Sequence, residues 1–424
     1  MGVKADETDS MRVSIMAYDS NKDTFKFKYF IFHDKYEFRN AQTILTNFNK
    51  LCFENSKRLL WVFVNPISGS GLSRDYYNKI LLPVLEFTSI NHEMFETSPK
   101  FFDTFFENLN IDEQKYTDFV VVGGDGLFGQ LLNSVMAHKD KSKLMKLSFG
   151  FMPGGSCNAL SCALGSKNPY LAAIQIARGI TVKSDMFRIN MIDKGTSIYS
   201  TAFTYGFPTD LMRESEGLRS IFGKYRYIAW GFKKFVTNLF SPNYQSDVYY
   251  KTKFDQNNMN EIQTESQSIR SGYANVPRVN NYKSKLSIME MYESYDWEKL
   301  PEDNFWFYAI VTHEVRSSIN DEIFAPFARI NDNKMYIAGL KSSSKIEALT
   351  YLTRVSNGTH LDFERYFFVE VSSLKIKNPP GSYFWVDGEP HESNEYTVTL
   401  LPSSLNLIGK VETLPITHNK RLHI

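Results

Sequence analysis

Two glycine-rich turns limit the folds open to this chain more than any other feature: Val122-Gly123-Gly124-Asp125-Gly126 and Met152-Pro153-Gly154-Gly155-Ser156-Cys157-Asn158-Ala159-Leu160. Each follows an apolar run and precedes a helix-like stretch. A third, Val64-Asn65-Pro66-Ile67-Ser68-Gly69-Ser70-Gly71, ends the apolar run that starts at Leu59. Glycine lets a backbone approach a ligand closely and adopt positive φ. The amides at the start of the following helix then face an anion. Three such turns within one stretch of chain predict a nucleotide site.

The surrounding pattern agrees. Leu59–Val64 reads as a buried strand, and His92–Phe95, Phe119–Val122 and Leu147–Met152 read as the strands that follow. Tyr76–Phe87, Phe101–Leu109, Leu127–Ala137, Asn158–Leu164 and Tyr170–Arg178 read as helices between and after them. Alternation of this kind predicts a parallel sheet with helices on both faces, and ligands beyond the carboxyl ends of its strands. After about Ser184 the texture changes to antiparallel β, with strands predicted at Phe187–Ile192, Tyr199–Phe203, Phe305–Val311, Lys334–Ile337, Phe367–Val371 and Tyr396–Leu400. The fold class is therefore α/β: a nucleotide-binding α/β domain with a parallel sheet, joined to an antiparallel β-sandwich domain.

The expected organisation is a leader at 1–56 packed on the core, with short strands in Met11–Phe32 and a helix at Phe38–Leu51, then the nucleotide domain at 57–183. The β-rich domain follows at 184–405, with a polar insertion at about 251–285 that reads as a loop. A tail at 406–424 returns to the first domain. With 424 residues, 34 Phe and 24 Tyr, there is enough bulk for two large cores. A net charge of +1 points away from nucleic acid. Cys52, Cys157 and Cys162 form neither a metal spacing nor a disulfide framework. No apolar run is long enough to span a bilayer. A cytoplasmic protein that visits membranes is the expectation.

Asp125 is the leading catalytic candidate. A carboxylate between two glycines at a strand end can orient an acceptor hydroxyl or take its proton in phosphoryl transfer. The plainer role for it is to cap the helix that starts at Leu127. Ser156 and Asn158 can hydrogen-bond phosphate or ribose, or cap a helix. No Gly-x-x-x-x-Gly-Lys-Ser/Thr occurs, which excludes a P-loop.

The ordered set Asn65-Pro66…Gly69-Ser70-Gly71, Gly123-Gly124-Asp125-Gly126 and Pro153-Gly154-Gly155-Ser156-Cys157-Asn158-Ala159-Leu160 resembles the diacylglycerol-kinase-type catalytic domain. It is most similar to the sphingosine kinases of that superfamily, with ceramide kinases close behind. The similarity continues through Tyr205–Asp210, Glu214-Ser215-Glu216, Gly223–Arg226, Phe324-Ala325-Pro326, Gly358-Thr359-His360 and Asp387-Gly388-Glu389. It implies an ATP- and Mg²⁺-dependent lipid kinase that phosphorylates the primary hydroxyl of a sphingoid base, with ATP between the two domains. It also implies a peripheral membrane surface as partner, and it leaves room for a homodimer.

The residue roles implied by the resemblance are as follows. Asp125 is the base. Asn65, Pro66, Ser68, Gly69, Gly71, Thr97, Gly123, Gly124, Gly126, Gln130, Gly154, Gly155, Ser156 and Asn158 line the nucleotide. Arg219 and Arg226 reach its phosphates from the second domain, a task suited to a planar, permanently charged fork. Asp387, Gly388 and Glu389 approach the nucleotide, with Asp387 and Glu389 toward Mg²⁺. Phe207, Asp210, Met212 and His360 fall with the lipid. Without the resemblance, Asp387-Gly388 reads as a hairpin turn.

Two departures bear on substrate and turnover. Met212 stands where sphingosine kinases carry an acid for the head group, and Gln130 stands near a usual Glu. Ceramide or diacylglycerol is the alternative acceptor. A catalytically weak lipid-binding protein of the same fold is the alternative of another class. Residues Tyr227–Phe240 read as a helix at a membrane surface or packed on the core.

Overall fold

The computed structural model describes residues 2–6, 12–19, 21–52, 58–109, 116–215, 217, 229–231, 233, 243–252, 297–316 and 322–410. Arg219, Arg226, most of 227–240, the bulk of the predicted insertion and residues 411–424 lie outside them.

The chain opens with a three-stranded antiparallel sheet, β1 (Gly2–Asp6), β2 (Arg12–Asp19) and β3 (Thr24–Ile31), followed by α1 (Lys35–Cys52). Strand β1 is absent from the sequence reading. This sheet rests on the next unit through Phe25 and Tyr18, whose rings meet Tyr170.

Four strands then form a parallel layer. They are β4 (Leu59–Val64), β5 (Asn91–Glu96), β6 (Asp118–Gly123) and β7 (Ser148–Pro153), in the spatial order β7-β6-β4-β5. The near-continuous apolar runs of β4, β6 and β7 are what a sheet covered on both faces demands, whereas the edge strand β5 is largely exposed. Trp61, Phe63, Phe119 and Phe149 fill one face, beneath α4 (Phe101–Glu107) and α5 (Asp125–Ala137). Leu60, Val62, Val120 and Val122 fill the other, beneath α8 (Pro169–Arg178) and a helix whose first and last parts are α2 (Ser73–Tyr76) and α3 (Leu82–Phe87). A π-helical stretch, Tyr77–Leu81, joins those parts. Two short helices, α6 (Lys141–Leu144) and α7 (Ala159–Ala163), flank β7.

The antiparallel part begins with β8 (Thr181–Met191), β9 (Thr196–Ser200) and β10 (Ala202–Gly206), followed by α9 (Phe207–Glu214). It continues with β11 (Tyr244–Gln245), β12 (Asp247–Lys251), β13 (Glu298–Lys299), β14 (Asn304–Val311) and β15 (Met335–Lys341). After α10 (Lys345–Ser356) come β16 (Tyr366–Val371), β17 (Ser373–Lys377), β18 (Tyr383–Val386), β19 (Glu389–Glu392) and β20 (Glu395–Ile408). One seven-stranded sheet has the order β16-β15-β14-β10-β18-β19, with β11 beside β14. Its inner face packs Phe203, Tyr308 and Phe384 against Phe187, Ile189 and Tyr396 of the opposing sheet. The predicted fold class is the observed one.

One feature is additional to the sequence reading: the two units share a sheet. Strand β20 pairs antiparallel with β8 and β17, then runs parallel to β7, with Leu407 opposite Phe149. The parallel layer and half of the sandwich are thus a single ten-stranded sheet. A register shift between Leu401 and Leu405 marks the seam, where the Asp185 carboxylate accepts the Ser403 and Asn333 amides at 2.7 and 2.8 Å.

Candidate active site

The three glycine turns follow β4, β6 and β7 and nest directly against one another. A Cβ placed on Gly155 would lie 2.4 Å from Gly124 Cα, and one on Gly69 would lie 2.4 Å from the Gly154 carbonyl. Real Cβ atoms do not come that close, so these glycines are demanded by backbone packing between turns, before any ligand is considered. The Asn65 carboxamide accepts the Ile67 amide at 3.1 Å, and Ser68 and Gly71 close successive turns on Asn65 and Ser68. Thr97, at the end of β5, donates its amide to Val64 at 2.8 Å and so lies beside this turn, as does Pro66. The Asn158 side chain clips its own turn, accepting from the Gly155 amide at 2.8 Å and donating to the Gly155 carbonyl at 3.0 Å. Asn158 is the N-cap residue of α7 but makes no side-chain capping bond. Ser156, beside it, is partly exposed.

Asp125 is the first residue of α5, with Gly124 as the N-cap. Its carboxylate does not cap that helix. It accepts the amides of Ala159 and Leu160, at 3.1 and 3.3 Å, where α7 begins. The acid therefore links the second turn to the third. Burial raises its pKa above the usual carboxylate range, and the two amides counter that rise only in part. A carboxylate so placed holds a proton more readily than a solvated one, which suits a group that receives a proton.

The Asp387-Gly388 pair is the two-residue turn between β18 and β19, with φ of 44° and 91°. Positive φ at both residues is the hairpin geometry that Asp-Gly favours. This turn also packs on the first turns of α5, so the hairpin and the site are one feature. A Cβ on Gly126 would meet Glu389 Oε1 at 3.1 Å, and one on Gly129 would meet Asp387 Cβ at 3.0 Å. Gln130 donates to Glu389 Oε1 at 3.1 Å. Asp387 is buried, and no protein group among the described residues hydrogen-bonds its Oδ2. Its pKa is pushed up to about 8, first by burial and further by the charge of Asp125, with a Ser200 hydrogen bond opposing.

An orphaned, buried carboxylate oxygen near a second carboxylate fits Mg²⁺, which is held by one or two protein carboxylates and completed by water and phosphate oxygens. No cluster of three or more His, Cys, Asp or Glu ligands occurs among the described residues.

Behind this turn opens a cleft of about 990 Å³. Gln130, Asp387 and Glu389 line it, together with Phe102, Asn133, Tyr199 and His391. The last four are missing from the sequence reading. Asn133 ties α5 to β9 through two hydrogen bonds with the Tyr199 backbone, at 2.8 and 2.9 Å. Helical spacing from Gly126 through Gln130 to Asn133 was the available signal, since i, i+4 and i+7 share a face. Nothing in the sequence brings β9 or β19 to that face.

The predicted lipid residues form a second, separate group. Phe207 opens α9 and stacks on Trp306 with centroids 5.0 Å apart. Phe207 lies in one buried cluster with Tyr351 of α10, and His360 packs edge-on to that tyrosine. Asp210 accepts the Tyr244 hydroxyl at 2.7 Å and pairs with Arg213 at 3.4 Å, while Met212 is partly exposed. Arg213 lies over the Tyr383 ring, at the start of β18. Asp387 follows the other end of that strand, so α9 and the phosphate end are about 13 Å apart along it.

A parallel layer with nested phosphate-type turns, an acid at its centre and a second, β-rich unit covering the cleft define a kinase of the two-unit lipid-kinase type. The diacylglycerol kinase catalytic domain family matches residues 59–189. The chain is 25% identical over 377 residues to sphingosine kinase 1 of Caenorhabditis elegans, covering 79% of this chain and 78% of that one. It is 28% identical over 246 residues to sphingoid long-chain bases kinase 1 of Arabidopsis thaliana, covering 54% of this chain and 31% of the relative. A crystal structure from Bacillus anthracis str. Sterne, provisionally described as a diacylglycerol kinase, superposes with a TM-score of 0.56. It covers 84% of this chain and 95% of that one at 16% identity, a likeness of fold alone. The chain is a sphingosine kinase-like member of the diacylglycerol kinase catalytic-domain superfamily.

Proposed function

We propose that this protein transfers the γ-phosphoryl group of ATP to the primary hydroxyl of a sphingoid base. The observation that carries the reading is the packing of the Asp387–Glu389 turn on Gly126 and Gly129 of α5, where the charge of Asp125 acts on Asp387 and where Asp387 and Glu389 line the cleft. Asp125 takes the proton of the lipid hydroxyl. The hydroxyl oxygen forms a bond to the γ-phosphorus as the bond to the β-γ bridging oxygen breaks, and ADP leaves. The three turns hold the phosphates by backbone amides, and Arg219 and Arg226 are assigned to the phosphates on the family pattern. Asp387 and Glu389 would hold Mg²⁺, which neutralises phosphate charge when bound. The lipid chain runs along the outer face of the seven-stranded sheet toward Phe207 and His360. A lipid acceptor places the protein at a membrane surface, although no described helix is long and apolar enough to cross one.

A second reading, an acceptor with a neutral head group such as ceramide or diacylglycerol, is favoured by one observation. Both acids that flank Met212 on α9 are already engaged, Asp210 by Tyr244 and Arg213 and Glu214 by the Trp230 indole. Under this reading Met212→Asp shifts preference toward a cationic base. No shift would show that residue 212 does not meet the head group.

Radiolabelled ATP offered with sphingosine, dihydrosphingosine, ceramide and diacylglycerol in separate micelles tests both, with Asp125→Asn as control. Label on a sphingoid base that disappears in the variant is the expected result. Label on ceramide or diacylglycerol moves the substrate and keeps the mechanism. ATP binding without label on any lipid rejects the kinase reading in favour of a lipid-binding protein of the same fold.

A further inference from the structure

The Asp387 carboxyl sits between two walls that belong to different units. One wall is α5. A Cβ on Gly129 would lie 3.0 Å from Asp387 Cβ, so glycine in the middle of this helix gives the acid its seat. The other wall is the link from β9 to β10. There the Ser200 hydroxyl accepts the Ala202 amide at 3.0 Å and donates to the Ala202 carbonyl at 2.9 Å. The same carbonyl accepts the Asp387 amide at 3.3 Å, and Ser200 also hydrogen-bonds the Asp387 side chain. The place of the unpaired Asp387 Oδ2 therefore depends on how far α5 stands from the β9–β10 link.

One side chain sets that spacing. Asn133, one turn beyond Gly129 on α5, accepts the Tyr199 amide at 2.8 Å and donates to the Tyr199 carbonyl at 2.9 Å. Its Nδ2 also donates to the Gly129 carbonyl at 2.8 Å. A backbone N–H can only donate and a carbonyl can only accept, so these partners fix the orientation of the carboxamide. Both Nδ2 protons are taken up by the protein, although Asn133 lines the cleft. Its bonds run from Gly129, beneath Asp387, to Tyr199, one residue before Ser200. Asn133 thus closes a ring that passes through Tyr199, Ser200, Asp387 and Gly129. Strand β20 joins the same two units through the sheet; the ring joins them at the acid itself.

We propose that Asn133 is a positioning residue for Asp387, clamping the β9–β10 link to α5 so that the unpaired Asp387 oxygen is presented to the metal–nucleotide complex. This rests on the lipid-kinase reading and adds to it a residue that acts through Asp387 rather than on either substrate.

The test measures the affinity of the full chain for Mn²⁺ in the presence of ADP, by electron paramagnetic resonance, beside kcat and KM from the lipid-labelling assay. Mn²⁺ shares the preference of Mg²⁺ for oxygen ligands. Asn133→Ala should weaken Mn²⁺ binding roughly 10–100-fold, the usual cost of removing a group that orients a metal ligand. It should lower kcat and leave KM for lipid unchanged. Gly129→Ala moves the acid from the other wall, because the added carbon must displace Asp387 by a few tenths of an ångström. Alanine suits a helix better than glycine, so this variant should weaken Mn²⁺ binding without lowering Tm, and it carries the test if Asn133→Ala folds poorly. The double variant should lose less than the two single losses combined, since both act on one carboxylate. Asn168→Ala is the control: it removes the N-cap of α8, where Asn168 accepts the Leu171 amide at 2.9 Å. It should lower Tm and leave Mn²⁺ affinity intact. Wild-type Mn²⁺ affinity in both Asn133→Ala and Gly129→Ala overturns the inference and leaves the kinase assignment standing. So does a loss in Asn133→Ala that Asn168→Ala reproduces, because that loss follows stability alone. Label on no lipid, with Mn²⁺ and ADP bound by the unaltered chain and weakened in both variants, rejects the kinase reading and keeps the clamp.

Discussion

The nested turns and the outer aromatic layer solve opposite packing problems. At the turns, backbone lies on backbone, and the constraint is that nothing may project: Gly155 and Gly69 have no room for even a methyl group. Over the seven-stranded sheet, Phe207, Trp306, Tyr351 and Tyr366 fill a space that backbone cannot. The first region fixes the positions of amides and of one carboxylate that bonds two of them. The second fixes only a volume, with a few polar atoms set into its wall. Chemistry that needs exact placement of charge belongs in the first kind of region, and recognition of a long apolar chain belongs in the second.

The largest effect expected follows from that division. Asp125→Asn should lower turnover by a factor of roughly 10²–10⁴, the usual contribution of a positioned base, while ATP binding measured by calorimetry is largely kept. Asparagine retains one acceptor oxygen for two amides, so a small fall in Tm should accompany the loss. Unchanged turnover would remove Asp125 from the mechanism and reduce it to the link between α5 and α7.

Next comes the aromatic layer. Phe207→Ala should destabilise the fold by about 3–5 kcal/mol, the range for deleting a large buried aromatic, and should raise KM for lipid more than it changes ATP affinity. If ATP affinity falls equally, the two regions are coupled more tightly than their separation along β18 suggests. Gly155→Ala reverses the logic. It adds one carbon 2.4 Å from Gly124 Cα, and overpacking of this kind costs roughly 1–3 kcal/mol. Its damage should fall on nucleotide affinity, with lipid binding spared. A variant with normal nucleotide affinity would show that the turns tolerate rearrangement.

The same contrast explains what could be read from the sequence. The four parallel strands match their predicted spans to within one or two residues; for β4, β6 and β7 the reason is that a strand buried on both faces is apolar throughout, while β5 is a largely exposed edge strand. The turns were legible because glycine at a strand end has few other uses. Helix α9 and hairpin partners such as β17 and β19 were not, because short half-buried antiparallel elements such as Glu389–Glu392 carry little hydrophobic signal. That the Asn158 side chain bonds the Gly155 backbone is likewise invisible in the sequence.

The smallest effect concerns the seam that joins the two regions. Burial pushes the Asp185 carboxyl up to about 7, with the charge of Asp332 adding to the rise and the Ser403, Asn333 and Lys334 amides opposing it. Asp332 is itself pushed up to about 7, chiefly by burial. In the unfolded chain both titrate near the ordinary value of about 3.9. The folded state therefore binds these protons more tightly than the unfolded state. Their contribution to stability is full below about pH 4 and is lost as pH rises through about 7. The urea midpoint should be higher at pH 5 than at pH 8, and Asp185→Asn should flatten that slope, whatever its constant cost from losing one acceptor oxygen. If the slope is unchanged in Asp185→Asn, the β20 seam is not where the protons bind. If the midpoint rises toward pH 8, Asp185 is held as a carboxylate by its two amides, and the joint between the parallel layer and the sandwich is electrostatically more like the turns than like the aromatic layer.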